Sequence, residues 1–231
     1  MTSVPSRNST LDPTLKSLQN QTQPPDEIRL YLGPGCESVQ WSEKGPPLYS
    51  IPTVDHGPVT KLSAAVDPYV RADAVIITVD DDIVFAPRWL ETLLEHVERY
   101  PDNAVGMAGW NADVLLSTGR YERASGPCDV IEGFGGVAYH KWFFESDILR
   151  PPKQIKYVDD VWISGYLHRI GITRRVVPGQ AEFVNTSRSA CQAGIHTRGD
   201  FDFLNKKAAK MCFPHHKRLE AARERKLKAT Q

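Results

Sequence analysis

The sequence predicts a single α/β domain built around a mostly parallel central sheet, and three observations carry that prediction. A continuous run rich in β-branched residues, Ala74-Val75-Ile76-Ile77-Thr78-Val79, reads as a central strand buried on both faces. Soon after it, Pro87 opens the segment Arg88 to Tyr100, in which Trp89, Leu90, Leu93, Leu94 and Val97 form one apolar stripe at helical spacing. Strand-like and helix-like segments then keep alternating, which is the pattern of a layered sheet with helices packed on it. A length of 231 residues suits one sizeable core and is short for two ordinary catalytic domains.

The remaining elements follow in order. Apolar residues from Leu11 to Leu18 recur at helical spacing behind Asn8-Ser9-Thr10, whose side chains suit a helix cap. Glu27-Ile28-Arg29-Leu30-Tyr31-Leu32 alternates polar and apolar residues as a half-buried strand does, and Gly33-Pro34-Gly35 ends it. From Cys36 to Pro58 the composition predicts loop, with one short strand at Leu48-Tyr49-Ser50-Ile51. Ala104 to Gly109 predicts another strand, Val130 to Tyr139 a glycine-rich loop, and Asp159 to Ile170 an amphipathic helix ended by Gly171. A doubly wound sheet normally opens with a strand, so the first element, before Thr2, is expected to be missing or very short. The folded domain is set at residues 1–205. The basic, helix-prone stretch 206–231, with Lys206, Lys207, Lys210 and Arg223 among its cations, is expected to be a solvated helix or frayed tail.

Charge and cysteine usage narrow the function classes. Lys plus Arg and Asp plus Glu balance at 28 each, so no global field attracts nucleic acid or an anionic membrane, and no nucleic-acid partner is expected. No apolar run reaches the ~18 residues of a membrane span, and no transmembrane segment is expected. Cys36, Cys128, Cys191 and Cys212 lie too far apart for a zinc or redox motif and read as ordinary thiols, with two disulfides open if the domain faces a secretory lumen. Three Asn-x-Ser/Thr tripeptides, at Asn8, Asn20 and Asn185, leave the compartment open between cytoplasm and, if an anchor was removed, the lumen.

The chemistry concentrates at Asp80-Asp81-Asp82. Three consecutive carboxylates at the end of a buried strand repel one another unless a cation neutralises them. Mg²⁺ or Mn²⁺ is the natural partner, because these hard ions take oxygen ligands and bridge carboxylates to substrate phosphates. The C-terminal strand end is also where open α/β sheets form their ligand crevice. An exposed acidic turn is the plain alternative. Asp159 and Asp160 open the later helix, where they serve either as dipole-complementing caps or as chemistry.

Ile76-Ile77-Thr78-Val79-Asp80-Asp81-Asp82-Ile83 resembles the DxD segment of GT-A fold glycosyltransferases, nucleotide-diphospho-sugar transferases of Rossmann-like architecture. Other segments resemble the GT2-like and exostosin-like branches, which include bacterial and large-virus enzymes. Thr2-Ser3-Val4-Pro5-Ser6-Arg7 looks like the loop framing the donor's base, and Asp55 to Leu62 like a donor-side segment. Gly133-Phe134-Gly135-Gly136-Val137 is similar to the acceptor-side loop, and Tyr157 to Trp162 to the second acidic motif. The ordered set spans roughly Thr2 to Gly179, and its joint order is more specific than any single piece.

By this resemblance, Asp82 is the direct metal ligand, Asp80 contacts the donor ribose or a metal-held water, and Asp81 could exchange roles with either. Alternation along a strand adds that Asp80 and Asp82 face one site and Asp81 another. Pro5, Arg7 and Lys61 are donor-side candidates, and His196 a late metal or diphosphate ligand. Asp160, with Asp159 beside it, is the candidate base for an inverting transfer. Gly133, Gly135 and Gly136 would let backbone approach a sugar, and Trp162, Trp110 and Phe134 could stack on one, although core packing is the commoner role of such aromatics. The implied reaction is metal-dependent transfer from a nucleoside-diphosphate sugar, with UDP the expected carrier, to a hydroxyl of a glycan or other acceptor. Two alternatives stand beside it: a haloacid-dehalogenase-like phosphatase with Asp80 as nucleophile, and an inactive nucleotide-sugar-binding module.

Overall fold

The structure, a computed structural model, describes residues 1–5, 7, 11–36, 45–179, 184–186 and 200–214, with backbone alone for 184–186. In chain order the elements are β1 (Thr2–Ser3), α1 (Asp12–Gln19), β2 (Ile28–Leu32), β3 (Leu48–Pro52), α2 (Ser63–Val66), β4 (Val75–Thr78) and β5 (Ile83–Phe85). Then come α3 (Trp89–Arg99), β6 (Asn103–Gly106), β7 (Gly109–Trp110), α4 (Ala112–Thr118), β8 (Gly126–Cys128), β9 (Val130–Ile131) and β10 (Val137–His140). The series closes with α5 (Asp159–Arg169), β11 (Thr173–Val176), β12 (Val184–Thr186) and α6 (Phe201–Cys212).

Two sheets organise the molecule. A three-stranded sheet of order β1-β2-β3 is parallel throughout. A five-stranded sheet has the order β4-β10-β6-β11-β8. In it only β6 and β11 pair in parallel; β10 runs antiparallel to both β4 and β6, and β8 antiparallel to β11. Strands β4, β6 and β11 therefore share one direction, with β10 inserted between the first two. Two short antiparallel pairs, β12 with β5 and β7 with β9, sit outside these sheets.

Apolar residues fall where the helical and strand periods put them. Trp89, Leu90, Leu93 and Val97 of α3 are buried, and they join Leu15 and Leu18 of α1 and Leu30 of β2 in one cluster. A second cluster holds Ile76, Val137, Tyr139, Ile163 and Leu167, binding β4 and β10 to α5. A third closes α4, α5 and α6 together through Leu115, Val161, Ala208 and Ala209. No helix among the described residues is long and apolar enough to cross a membrane. Cys36, Cys128 and Cys212 are free thiols, and Cys191 lies outside the described residues.

Several expectations need correction. The segment Val130 to Tyr139 is not one loop: it contains β9, a tight turn at Gly133–Gly135 and the central strand β10. Its glycines masked a short apolar run that pairs on both sides. That antiparallel insertion is why the five-stranded sheet is not mostly parallel. Strand β4 is an edge strand of its sheet, and its burial alternates along its length rather than being complete on both faces. Helix α5 is buried over most of its surface rather than amphipathic, because α6 covers the side that would have faced water. The boundary expected after Asn205 falls inside α6, whose Ala208 and Ala209 belong to the core; residues 215–231 lie outside the description.

Candidate active site

The fold brings the acidic motifs together by register. Thr78, the last residue of β4, pairs with Val137, the first of antiparallel β10, so the turn Gly133–Gly136 feeding β10 sits at the C-terminal end of β4 beside Asp80. Ser3, ending β1 opposite Leu32, reaches the same end. Helix α5 adds its N-terminus, where the partial positive charge of the helix favours Asp159 and Asp160 in the first turn. Gly57, at φ 82°, starts a 3-10 turn over Pro58–Leu62. Burial of Val59 and Leu62 in that turn carries Lys61 inward with them.

Five carboxylates share two cations in this cluster. Lys61 Nζ donates to Asp80 Oδ1 at 2.7 Å and lies 3.0 Å from Asp159 Oδ2. The second approach is an ion pair without hydrogen-bond geometry, so buried Asp159 Oδ2 has no hydrogen-bond donor among the described residues. Arg7 Nη1 donates to Asp81 Oδ1 at 2.6 Å and stands 3.1 Å from Asp82 Oδ2. Ser3 Oγ donates to Asp81 Oδ2 at 2.6 Å, and Thr14 Oγ1 to the Asp81 carbonyl at 3.1 Å. Gly133 N–H donates to Asp160 Oδ1 at 3.0 Å.

The titration tendencies follow from that charge excess. Burial opposes the charge of Lys61, but Asp159, Asp80 and Asp160 outweigh it and hold its pKa well above the ordinary value. Asp160 is pushed well above the carboxylate range by burial first and by Asp159 second, with Lys61 opposing. Asp82 is raised by burial, with Asp80 and Asp81 adding to it against Arg7. A divalent ion fits this donor set: the oxygens are hard, the site holds more negative than positive charge, and one buried carboxylate oxygen lacks a donor. No group of three or more His, Cys, Asp or Glu side chains converges on a ready metal cage among the described residues. Such an ion would therefore need ligands beyond these side chains.

The candidates divide. Asp80, Asp81, Asp82, Lys61, Arg7, Asp159 and Asp160 are brought together. The expectation that Asp80 and Asp82 share a direction with Asp81 turned away is corrected: Arg7 bridges Asp81 and Asp82, while Asp80 turns to Lys61. Strand β4 ends at Thr78 and the triplet lies in the turn beyond it, so strand alternation does not apply. Pro5 is exposed near Gly35, whose added Cβ would lie 3.7 Å from Pro5 Cγ. His196 lies outside the described residues.

Gly135 and Gly136 are committed to packing. The Gly135 carbonyl accepts from Trp89 Nε1 at 2.9 Å, and a Cβ on Gly136, at φ 84°, would lie 2.2 Å from Trp89 Cζ2. Trp162 donates from Nε1 to the Ile148 carbonyl at 2.7 Å. Two residues along a helix is a turn of about 200°, so Trp162 points away from Asp160. Trp110 is buried edge-on against Tyr121, and Phe134 lies under the Arg123 guanidinium at 5.6 Å. Sequence reasoning missed Ser3 and Thr14, which fix Asp81, and the specific role of Gly133. A Cβ on Gly133 would lie 2.6 Å from Lys61 Nζ and 2.8 Å from Asp160 Oδ1, so glycine is what lets the turn touch both. It also missed Glu132, raised by burial against its partner Arg123.

No family model matches the chain, and no curated protein matches it in sequence. Among solved structures, 73 chains match its fold. One is the glycosyltransferase TarS of S. aureus, residues 1–349, at TM-score 0.54 and 11% identity, covering 93% of this chain and 71% of that one. The fold is glycosyltransferase-like. At this identity the likeness speaks for architecture, and the chemistry rests on the residues of the cluster.

Proposed function

We propose that the protein is a metal-dependent glycosyltransferase that moves a sugar from a nucleoside-diphosphate sugar, UDP being the expected carrier, to a hydroxyl of a glycan or other acceptor. The observation that carries this reading is the convergence of the Asp80–Asp82 turn, Lys61 and Asp160 at one strand end, on a glycosyltransferase-like fold. That fold favours transfer over the phosphatase alternative, and the half-buried Asp160 held behind a glycine turn favours catalysis over binding alone.

Asp82 and Asp80 would hold Mn²⁺ or Mg²⁺, which when bound neutralises the diphosphate charge. Lys61 adds a fixed cation beside it, and Arg7, locked on Asp81, shapes the donor side. Asp160, oriented by the Gly133 amide, takes the acceptor hydroxyl proton as the acceptor oxygen bonds the anomeric carbon. The bond from that carbon to the diphosphate breaks, and the nucleoside diphosphate leaves with the electron pair. Burial of Asp160 makes it the stronger base once ionised, and Lys61 favours the ionised form.

Isothermal titration of UDP and of GDP, with Mn²⁺ and with chelator, tests the donor site. Metal-dependent binding that disappears in Asp82→Ala is the expected result. Absence of binding by either nucleotide under both conditions would remove the transferase reading and bring the phosphatase forward.

A further inference from the structure

The acceptor contacts expected at Gly135, Gly136 and Trp162 are taken up by packing, which leaves one carboxylate of the acceptor side unassigned. Glu132 stands directly before Gly133 on extended backbone. Ile131 is turned into the core, so alternation turns Glu132 the opposite way. The Glu132 amide donates to the Ala108 carbonyl at 2.9 Å, and the next amide, that of Gly133, holds Asp160. Asp160, raised chiefly by burial, also feels the Glu132 charge, so the two carboxyl groups are electrostatic neighbours.

One Glu132 oxygen, Oε2, accepts from Arg123 Nη1 at 2.6 Å, while no hydrogen bond reaches Oε1 among the described residues. The Arg123 guanidinium also lies over the Phe134 ring, so Glu132, Arg123 and Phe134 surround Gly133. The segment that carries Arg123 has anchors of its own. Ala124 N–H donates to the Gly109 carbonyl at 2.9 Å, and Tyr121 packs edge-on against Trp110 and bonds Asp202 and Asn205 of α6. The ion pair adds little to these, because an Arg123 side chain 63% exposed leaves it screened by water. Burial meanwhile raises the pKa of Glu132, so keeping a carboxylate there costs the fold stability.

We propose that Glu132 is an acceptor-binding residue and Arg123 its positioning residue, an assignment that rests on the transferase reading and names the class of acceptor. Asp160 meets the attacking hydroxyl, and Glu132 Oε1 accepts a hydrogen bond from a neighbouring hydroxyl of the same molecule. Arg123, by holding Oε2, leaves Oε1 to the acceptor. Glu132, Asp159 and Asp160 on this side repel an acidic sugar, so the acceptor is a neutral sugar or polyol with adjacent hydroxyls.

The test measures release of nucleoside diphosphate from pooled UDP-glucose, UDP-galactose and GDP-mannose with Mn²⁺, and with methyl α-mannoside, methyl β-galactoside or methyl β-glucuronide as acceptor. A neutral glycoside should stimulate release and the glucuronide should not. Glu132→Ala should raise the KM for the stimulating glycoside at least about tenfold, the loss of one hydrogen bond to a charged group, with kcat within about threefold of the parent. Arg123→Met, which breaks the same ion pair but keeps the carboxylate, should raise that KM less than about threefold. Equal KM changes in the two variants would overturn the proposal in favour of a purely structural ion pair, and an unchanged KM in Glu132→Ala or stimulation by the glucuronide would overturn it too. A parent protein that binds neither UDP nor GDP would remove the transferase reading and this assignment with it. A parent that binds nucleotide yet gains nothing from either neutral glycoside would remove the assignment alone.

Discussion

Lys61→Met exchanges the cation at the centre of the cluster for an apolar side chain of similar length. The side chain of Lys61 is only 6% exposed, and it compensates Asp80 at 2.7 Å and Asp159 at 3.0 Å. Removing one member of a buried ion pair costs about 3–5 kcal/mol, because the other is left uncompensated. For a chain of this size that is a fall in Tm of roughly 6–20 °C. The folded pKa of Lys61 lies above its ordinary 10.5, so its contribution is complete below that value and is constant across neutral and mildly acidic pH. Asp160, which Lys61 holds down, behaves differently in that range. Without the cation Asp160, already held well above the ordinary 3.8 by burial and Asp159, rises further, and its ionisation costs stability as pH climbs through the folded value. The penalty is therefore larger near about pH 8 and shrinks toward about pH 5 as Asp160 takes up a proton. Urea unfolding of parent and variant at both pH values, followed by tryptophan fluorescence, measures it. A penalty below about 1 kcal/mol at the higher pH, or one of equal size at both, would refute the electrostatic account of the cluster.

Three further outcomes are expected. Gly133→Ala pushes a methyl group onto the ends of Lys61 and Asp160, so the fold survives by circular dichroism while release of nucleoside diphosphate from a donor falls at least about tenfold; unchanged turnover would remove Asp160 as base. Gly136→Ala forces a side chain into a positive-φ position against the Trp89 ring and costs roughly 2–5 kcal/mol in thermal unfolding, with a loss under about 1 kcal/mol counting against the packing role. Trp162→Phe deletes the hydrogen bond to the Ile148 carbonyl and lowers stability by about 1–3 kcal/mol with acceptor KM unchanged, whereas a raised acceptor KM would restore Trp162 as a sugar platform.

Local sequence alone determined much of this protein. The helices at Asp12–Gln19, Trp89–Arg99 and Asp159–Arg169 and the strands at Ile28–Leu32, Leu48–Pro52 and Val75–Thr78 were legible, because each carries a local apolar pattern or run, most of them punctuated by proline or glycine. The acidic triplet was legible as a site, since adjacent carboxylates after an apolar strand are electrostatically costly wherever the chain goes. Only the tertiary structure decided what each acid faces. Strand β10 was hidden among glycines, and its antiparallel pairing with β4 is a long-range contact that no local pattern encodes. That pairing delivers the Gly133 amide to Asp160 and ties Gly135 and Gly136 to Trp89. In the same way Arg7 meets Asp81 across 74 positions and Lys61 meets Asp159 across nearly a hundred. Side-chain periodicity reports which face of an element is buried; which charge it meets there is fixed by packing between distant elements.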